Sequence, residues 1–374
     1  MIKINVCGDF CITEPFLKND LFSEEIVSFF GNSDLNILNL ECPVIEKFNG
    51  KKIPKTGPHL NTSSEIFTQL RKIKTHALTL ANNHILDFGS AGLESTLQMC
   101  RENEIITTGA GTNLVDASTP AIIEKNGVRI GIVNFCENEW SIATSDNQGA
   151  NPLDLITVYN TLKDIRTKVD FVIVIVHGGH EYYNYPSPRM VKQYRFFAQV
   201  GADVVIGHHT HCISGYEIFN KVPIFYSLGN FLFTLDSEYK DWYTGLILQL
   251  TISDSKELNF SIHPIKQNKE NFRLSLLKEN DSLEVFNTIE KYSAVISDEK
   301  LVLKQWDQFV ASRREYYLDI FSPVNFLRSS KLQRLISKLG LSKIFRGNKH
   351  YNHILNVIRC EAHLDVSIDA ISKK

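Results

Sequence analysis

The residues able to do chemistry gather in short clusters, each at the end of an apolar run. Gly8-Asp9 follows Ile2 to Cys7, and Asn39-Leu40-Glu41 closes the run that starts at Leu35. Asn82-Asn83-His84, with Asp87 and Gly89 beyond, follows Ala77 to Ala81. His177-Gly178-Gly179-His180-Glu181 follows Phe171 to Val176, and Gly207-His208-His209-Thr210-His211 follows Val204 to Ile206. Carboxylate, amide oxygen and imidazole together form the donor set of a hard or borderline divalent cation, and a two-cation site needs a carboxylate able to bridge. Taken singly, each cluster has a plainer reading. Asp9 could cap a turn, Glu41 could be a loop carboxylate, Asn82-Asn83-His84 a polar turn, and His177 a satisfied core histidine. The crowded imidazoles after Val204 to Ile206 are harder to explain that way, because an H-x-H pair on extended chain, His209 and His211, points both rings to one side.

Something must bring five separate clusters together. Short apolar runs of this kind read as buried central strands, and Glu24–Phe30, Ser64–Ile73, Ala91–Arg101, Leu153–Thr167 and Arg189–Val200 read as amphipathic helices between them. In open α/β sheets the carboxyl edge of the strands is where ligands and catalytic groups collect. Two hairpin signals, Asn126-Gly127 and the Asp254-Ser255-Lys256 turn, argue for a mixed or two-sheet arrangement. Cys42 to Pro58, with three prolines and Lys51, Lys52 and Lys55, reads as a long loop whose lysines could meet an anionic substrate or simply be solvated.

The whole-chain averages limit the function classes. The 374 residues exceed the usual single compact domain, and 43% apolar with 22% charged residues is an ordinary globular composition. A net charge of −2 gives no global attraction to nucleic acid, and none is expected as a partner. The first residues lack the pattern of a secretory signal, no run is long enough for a membrane span, and the seven cysteines form no CxxC pair. These features predict reduced thiols and a cytoplasmic location, with peripheral contact at the inner membrane face as a further possibility.

Taken in order, Gly8-Asp9, Asn39-Leu40-Glu41-Cys42-Pro43, Leu80-Ala81-Asn82-Asn83-His84, His177-Gly178-Gly179-His180-Glu181-Tyr182, Gly207-His208-His209-Thr210-His211 and Tyr226-Ser227-Leu228-Gly229-Asn230-Phe231 resemble the CapA family. These are poly-γ-glutamate capsule synthesis proteins of the calcineurin-like metallophosphoesterase superfamily, and the likeness runs from about Met1 to Pro264. It implies an α/β fold, a calcineurin-like α/β/β/α sandwich, here with a C-terminal helical appendage. It also implies two divalent metal ions (Mn, Fe or Zn), with Glu41 bridging, Asp9 and His211 on one, and Asn83, His177 and His209 on the other. His84 would be catalytic, protonating the leaving oxygen or stabilising negative charge while a metal-activated hydroxide attacks phosphorus. Cys11 stands where the superfamily commonly has the histidine of a D-x-H motif, and reads as an inert thiol. His180, Glu181, Ser227 and Asn230 are candidates for substrate contact, and His208 for the site wall.

The chain divides near residue 266, into a CapA-type metallophosphoesterase-like domain over 1–265 and a mainly helical region over 266–374. Within the latter, Arg328, Lys331, Arg334, Lys338, Lys343, Arg346, Lys349 and Arg359 occur with no Asp or Glu between Asp319 and Glu361. Leu327, Leu332, Leu335, Ile336 and Leu339 place an apolar stripe among them at helical spacing. Such a segment either lies on an anionic membrane surface or packs its stripe on the catalytic domain. His350, His353, Cys360 and His363 have zinc-binding donor types, but their spacing matches no familiar finger and ordinary surface residues are the expectation. Three functions follow: a metal-dependent hydrolase of phosphoester bonds in capsule or surface-polymer biosynthesis; a non-hydrolytic metal-binding component of a polymer synthesis or export complex; and an interaction protein with a decayed site. The partner would be an anionic or phosphorylated small molecule or a surface polymer, with peripheral attachment to a membrane synthesis complex. Retention of the whole donor set argues against the third function.

Overall fold

The computed structural model describes residues 1–48, 50–321, 330–339 and 347–372. Two sheets face each other. The first is built on Ile2–Cys11, with Leu35–Leu40, Ala77–Thr79 and Ile106–Thr108 parallel on one side. Thr244–Ile252, Leu258–Gln267 and Leu274–Leu276 run antiparallel to their neighbours on the other side, and Asn230–Phe233 pairs with the end of the first strand. The second sheet runs in the order Tyr216–Phe219, Val222–Phe225, Val204–His208, Phe171–His177, Val128–Cys136, Ala121–Lys125.

The apolar runs are continuous because both faces of these strands are buried. Between the sheets, Ile4, Val6 and Ile37 of the first meet Ile130, Ile173, Ile175 and Ile206 of the second in one apolar layer. The outer face of the first sheet is covered by helices Glu24–Gly31, Ile66–Lys72 and Gly89–Glu102. The outer face of the second packs on Leu155–Arg166 and Pro188–Val200. The helix–sheet–sheet–helix sandwich implied by the motif order is thus observed. Ser23 and Ser187 start their helices by accepting hydrogen bonds from Ile26 and Met190, and Pro188 sits at the first helical position where its missing N–H costs nothing. The Asn126-Gly127 hairpin is present, with both residues at positive φ (51° and 73°) as a tight primed turn requires.

The sheet continues past residue 265, since Leu274–Leu276 pairs with Ile265–Gln267, and helical chain begins with Glu279–Ile296. It goes on through Glu299–Phe321, Ser330–Lys338, Asn348–Arg359 and Glu361–Ser372. The last of these docks on the sandwich. Asp365 accepts from Arg189 at 2.6 Å while Arg189 also reaches Glu137 at 2.7 Å, and Glu361 accepts from the backbone and side chain of Asn138 at 2.7 and 3.1 Å. Trp306, Val310, Tyr317, Val357, Val366 and Ala370 close a small core against Tyr183. Of the apolar stripe, Leu332, Leu335 and Leu339 are exposed and Ile336 is half-buried. Leu327, Arg328, Lys343 and Arg346 lie outside the described residues. No helix among the described residues is long and apolar enough to cross a membrane. The seven cysteines are unpaired and buried.

Candidate metal centre

Asp9 lies where the first strand stops pairing regularly, with register irregularities on both sides of it, so the bulged backbone re-aims its side chain into the space between the sheets. Gly8 is required beside it: a Cβ there would lie 1.8 Å from the Gly229 carbonyl oxygen. Asn39 and Glu41 arrive on the neighbouring strand end, and Asn83 and His84 from the turn after Ala77–Thr79. The second sheet supplies His177, aligned with His208 across the ladder, and then the left-handed residues His209 (φ 88°) and His211 (φ 55°). Non-glycine residues at positive φ are uncommon and tend to persist where surrounding contacts hold a functional geometry.

All six expected ligands converge. Two donor triads form, Asp9–Glu41–His211 and Glu41–His177–His209, and Glu41 belongs to both. Its Oε1 stands 3.4 Å from His177 Nε2 and 3.7 Å from His211 Nε2. The Asn83 amide oxygen lies 3.1 Å from His177 Nε2, and His209 Nδ1 is 3.1 Å from the same nitrogen. Asp9 is held by the Asn39 amide at 2.7 Å and the His209 backbone N–H at 3.0 Å. Neither carboxylate oxygen of Glu41, fully buried, has a hydrogen-bond partner among the described residues. A buried polar atom left unpaired costs about 1–3 kcal/mol, more if charged, so this carboxylate is placed for a partner other than a protein donor.

The electrostatics agree. Burial raises Asp9 to about 7, and burial followed by the charge of Asp9 raises Glu41. Burial, then the neighbouring imidazoles, lowers His177 and His209, and burial lowers His211 to about 4. The imidazoles are therefore neutral near pH 7, the form that ligates, while two carboxylates lack compensating positive charge. A cation would supply that charge, so the residues present fit the implied metals. Cys11 is buried and takes no part in either triad.

The remaining candidates divide. His84 lines a cavity of about 300 Å³ over this cluster, together with Asn83, His209, His180 and Glu181. Its Nδ1 faces Asp87 Oδ2 at 2.7 Å and Lys55 Nζ at 3.0 Å, and Lys55 also pairs with Asp87. Lys55 of the long loop is thus buried at the site rather than solvated. Ser227 and Asn230, expected to line the cleft, are not among its lining residues. Ser227 accepts from Thr210 at 2.8 Å and from the Gly229 N–H at 3.1 Å, and Asn230 accepts from His211 Nδ1 at 2.9 Å. Both brace the histidine loop; Asn230 fixes the His211 ring so that Nε2 is free to ligate. His208 is fully buried, neither ring nitrogen has a hydrogen-bond partner among the described residues, and burial lowers it to about 3.

Two contributors escaped the sequence reading. Glu139 follows the strand end at Cys136, lines the cleft 3.6 Å from His209 Nε2, and is raised to about 8 chiefly by burial. The strand-end rule applied to Val128–Cys136 would have found it. The cleft is also roofed by Phe309, Arg313, Tyr317 and His363 of the C-terminal helices, with the Tyr317 hydroxyl 2.7 Å from His363 Nδ1. His363 and Cys360 therefore face the cleft, and His350, His353, Cys360 and His363 form no metal-binding group among the described residues.

The family model for the bacterial capsule synthesis protein PGA_cap matches residues 3–235, more than half of the chain and every candidate ligand. The chain belongs to the PGA_cap family. The PGA biosynthesis protein CapA of Bacillus subtilis (strain 168) is 30% identical over 257 residues, 68% of this chain and 67% of that protein. The capsule biosynthesis protein CapA of Bacillus anthracis is 33% identical over 222 residues, 57% of this chain and 54% of the relative, so the chain spans about half the length of that protein. Among solved structures, a 5'-nucleotidase precursor from Thermus thermophilus overlies 78% of this PGA_cap chain and 59% of its own, at 14% identity and a TM-score of 0.40. The PGA_cap match stops before the helices that roof the cleft.

Proposed function

We propose that this protein is a metal-dependent phosphoesterase acting in the biosynthesis of a capsule or other surface polymer of the poly-γ-glutamate kind. The observation that carries the reading is the pair of triads sharing Glu41, whose buried oxygens have no donor among the described residues. Asp9, Glu41 and His211 would hold one divalent cation, and Glu41, Asn83, His177 and His209 the second. Bound there, the cations supply Lewis-acid polarisation of the phosphoryl oxygens and make water a nucleophile near neutral pH. The chain's own residues do the rest. Asp87 accepts the Nδ1 proton of His84, which orients the ring and leaves Nε2 as the atom presented to substrate. Burial and Lys55 lower His84 while Asp87 opposes them, so an arriving phosphoryl anion favours protonation of the ring, and Nε2 can then give its proton to the leaving oxygen. Phe309, Tyr317 and His363 narrow the cleft and limit water, and Arg313, its guanidinium near the Phe309 ring, offers positive charge to an anionic group on the substrate.

A non-hydrolytic role in a polymer synthesis complex is the second reading. The observation favouring it is that one of the two cation positions draws on only three side chains, Asp9, Glu41 and His211, with Cys11 buried and outside both triads. Metal analysis of the purified protein, with turnover of phosphomonoesters and phosphodiesters in Mn²⁺, separates the two. Two equivalents of metal and turnover lost in His84→Asn support the hydrolase. Metal binding without His84-dependent turnover supports the second reading, and trace metal alone sinks both.

A further inference from the structure

The four residues after the strand Val128–Cys136 are each held from outside their own segment. The Glu137 N–H donates to the His177 carbonyl at 3.0 Å, and its carboxylate accepts from the Gly179 N–H at 3.1 Å and from Arg189 at 2.7 Å. Asn138 donates from backbone and side chain to Glu361 at 2.7 and 3.1 Å, and the Arg359 guanidinium lies 4.0 Å from the centre of the Trp140 ring. Glu139, between them, aims its carboxylate at a candidate metal ligand. Its Oε1 is 3.6 Å from His209 Nε2, and its side chain is 10% exposed.

The His209 ring shows what that contact can do. Its Nδ1 lies 3.1 Å from His177 Nε2, which is itself 3.1 Å from the Asn83 amide oxygen and 3.4 Å from Glu41 Oε1, so Nδ1 is the atom that converges with the other donors. A neutral ring that ligates through Nδ1 carries its proton on Nε2 and needs an acceptor there, because the opposite tautomer has no lone pair to give. Glu139 is placed to be that acceptor. A shift of about 0.6 Å brings the pair to an ordinary N–H···O length, and the carboxyl offers an acceptor oxygen whether ionised or neutral. We propose that Glu139 is the positioning residue for His209, fixing the tautomer and aim of the ring, and that the C-terminal helices hold Glu139 in place through Asn138 and Trp140. Arg359 and Glu361 lie beyond the PGA_cap match, so in this chain the helical appendage completes the surroundings of one cation. The inference rests on the metal centre proposed above and not on hydrolysis there.

The test is a two-site calorimetric titration of the full chain with Mn²⁺. Glu139→Met, close in size and without an acceptor oxygen, should weaken one site by about 10–100-fold and leave the other within about threefold. Glu139→Gln, whose amide oxygen still accepts from Nε2–H, should stay within about threefold of the parent at both sites. Glu361→Ala, which frees Asn138, should weaken the same site as Glu139→Met by about three- to tenfold. Both sites weakened alike in Glu139→Met, or Glu139→Gln as weak as Glu139→Met, overturns the positioning role. Parent-like binding in Glu361→Ala overturns the part given to the helices. A parent that binds only trace Mn²⁺ overturns the metal centre and this inference together, whereas two equivalents in the parent with Glu139→Met unchanged overturns this inference alone.

Discussion

The Nδ1 of His84 lies 2.7 Å from the Oδ2 of Asp87, three residues along the same turn. Asp87 also accepts from the Leu60 backbone N–H at 2.7 Å and pairs with Lys55, so its carboxylate is fixed from three sides. Burial pushes Asp87 up, but His84 and Lys55 together outweigh it and hold the group below the usual carboxylate range. His84→Asn should lower kcat for a phosphoester by about 10²–10⁴ with metal content unchanged. Asp87→Asn should keep more activity but move the alkaline limb of the kcat profile to lower pH, because the contact that raises His84 and keeps it protonated is gone. Metal analysis beside a pH–rate profile checks both.

Glu41→Gln keeps the size of the side chain and removes its charge. It should abolish tight binding of both metals, since both triads use this residue. The metal-free variant should be at least as stable as the metal-free parent, because a buried carboxylate with no donor is removed. Thermal unfolding with and without Mn²⁺ is the check: the parent should gain Tm with metal and the variant should not.

Metal affinity should rise with pH. Asp9, raised to about 7, and the raised Glu41 must lose protons to ligate, whereas His177, His209 and His211 are lowered and already neutral. The apparent Kd should therefore tighten from about pH 6 to about pH 8, with proton release on binding. Calorimetric titration in buffers of different ionisation enthalpy reads both quantities.

Arg189 bridges Glu137, 2.7 Å away, and Asp365, 2.6 Å away, in a setting only partly open to water. Arg189→Met leaves two carboxylates facing each other without a cation, and loss of one partner from a buried pair costs about 3–5 kcal/mol. Destabilisation of about that size is expected in urea melts. Because the released helix carries His363 of the cleft roof, KM for an anionic substrate should rise more than kcat falls.

The sandwich was legible because it rests on local, repetitive signals, while the proposed ligands were named by the resemblance to the CapA family. Buried strands appear as short apolar runs, and the strand end of an α/β sheet is where polar residues with glycine neighbours stand out. Asp9, Glu41, Asn83, His177, His209 and His211 meet as the motif order implied. What stayed hidden depended on long-range packing. Nothing near Ser227 or Asn230 says that they would brace the histidine loop rather than face the cleft, since that follows from Thr210 and His211 folding back on them. The roof was hidden for the same reason, because Arg313 and Tyr317 look like ordinary helix residues until the helix is laid across the sandwich. Glu139 is legible in principle, since it stands just past the end of the strand Val128–Cys136.

Each triad around Glu41 draws on both sheets. Asp9 and Asn83 come from one layer and His177, His209 and His211 from the other, so no half of the sandwich holds a complete triad. A small zinc domain folds around its ion; here the order is reversed, and the pocket exists only after the two layers have closed. Metal uptake would then mark the end of folding instead of starting it, and a partly folded chain, with neither donor set complete, would not compete for scarce metal with chains already closed.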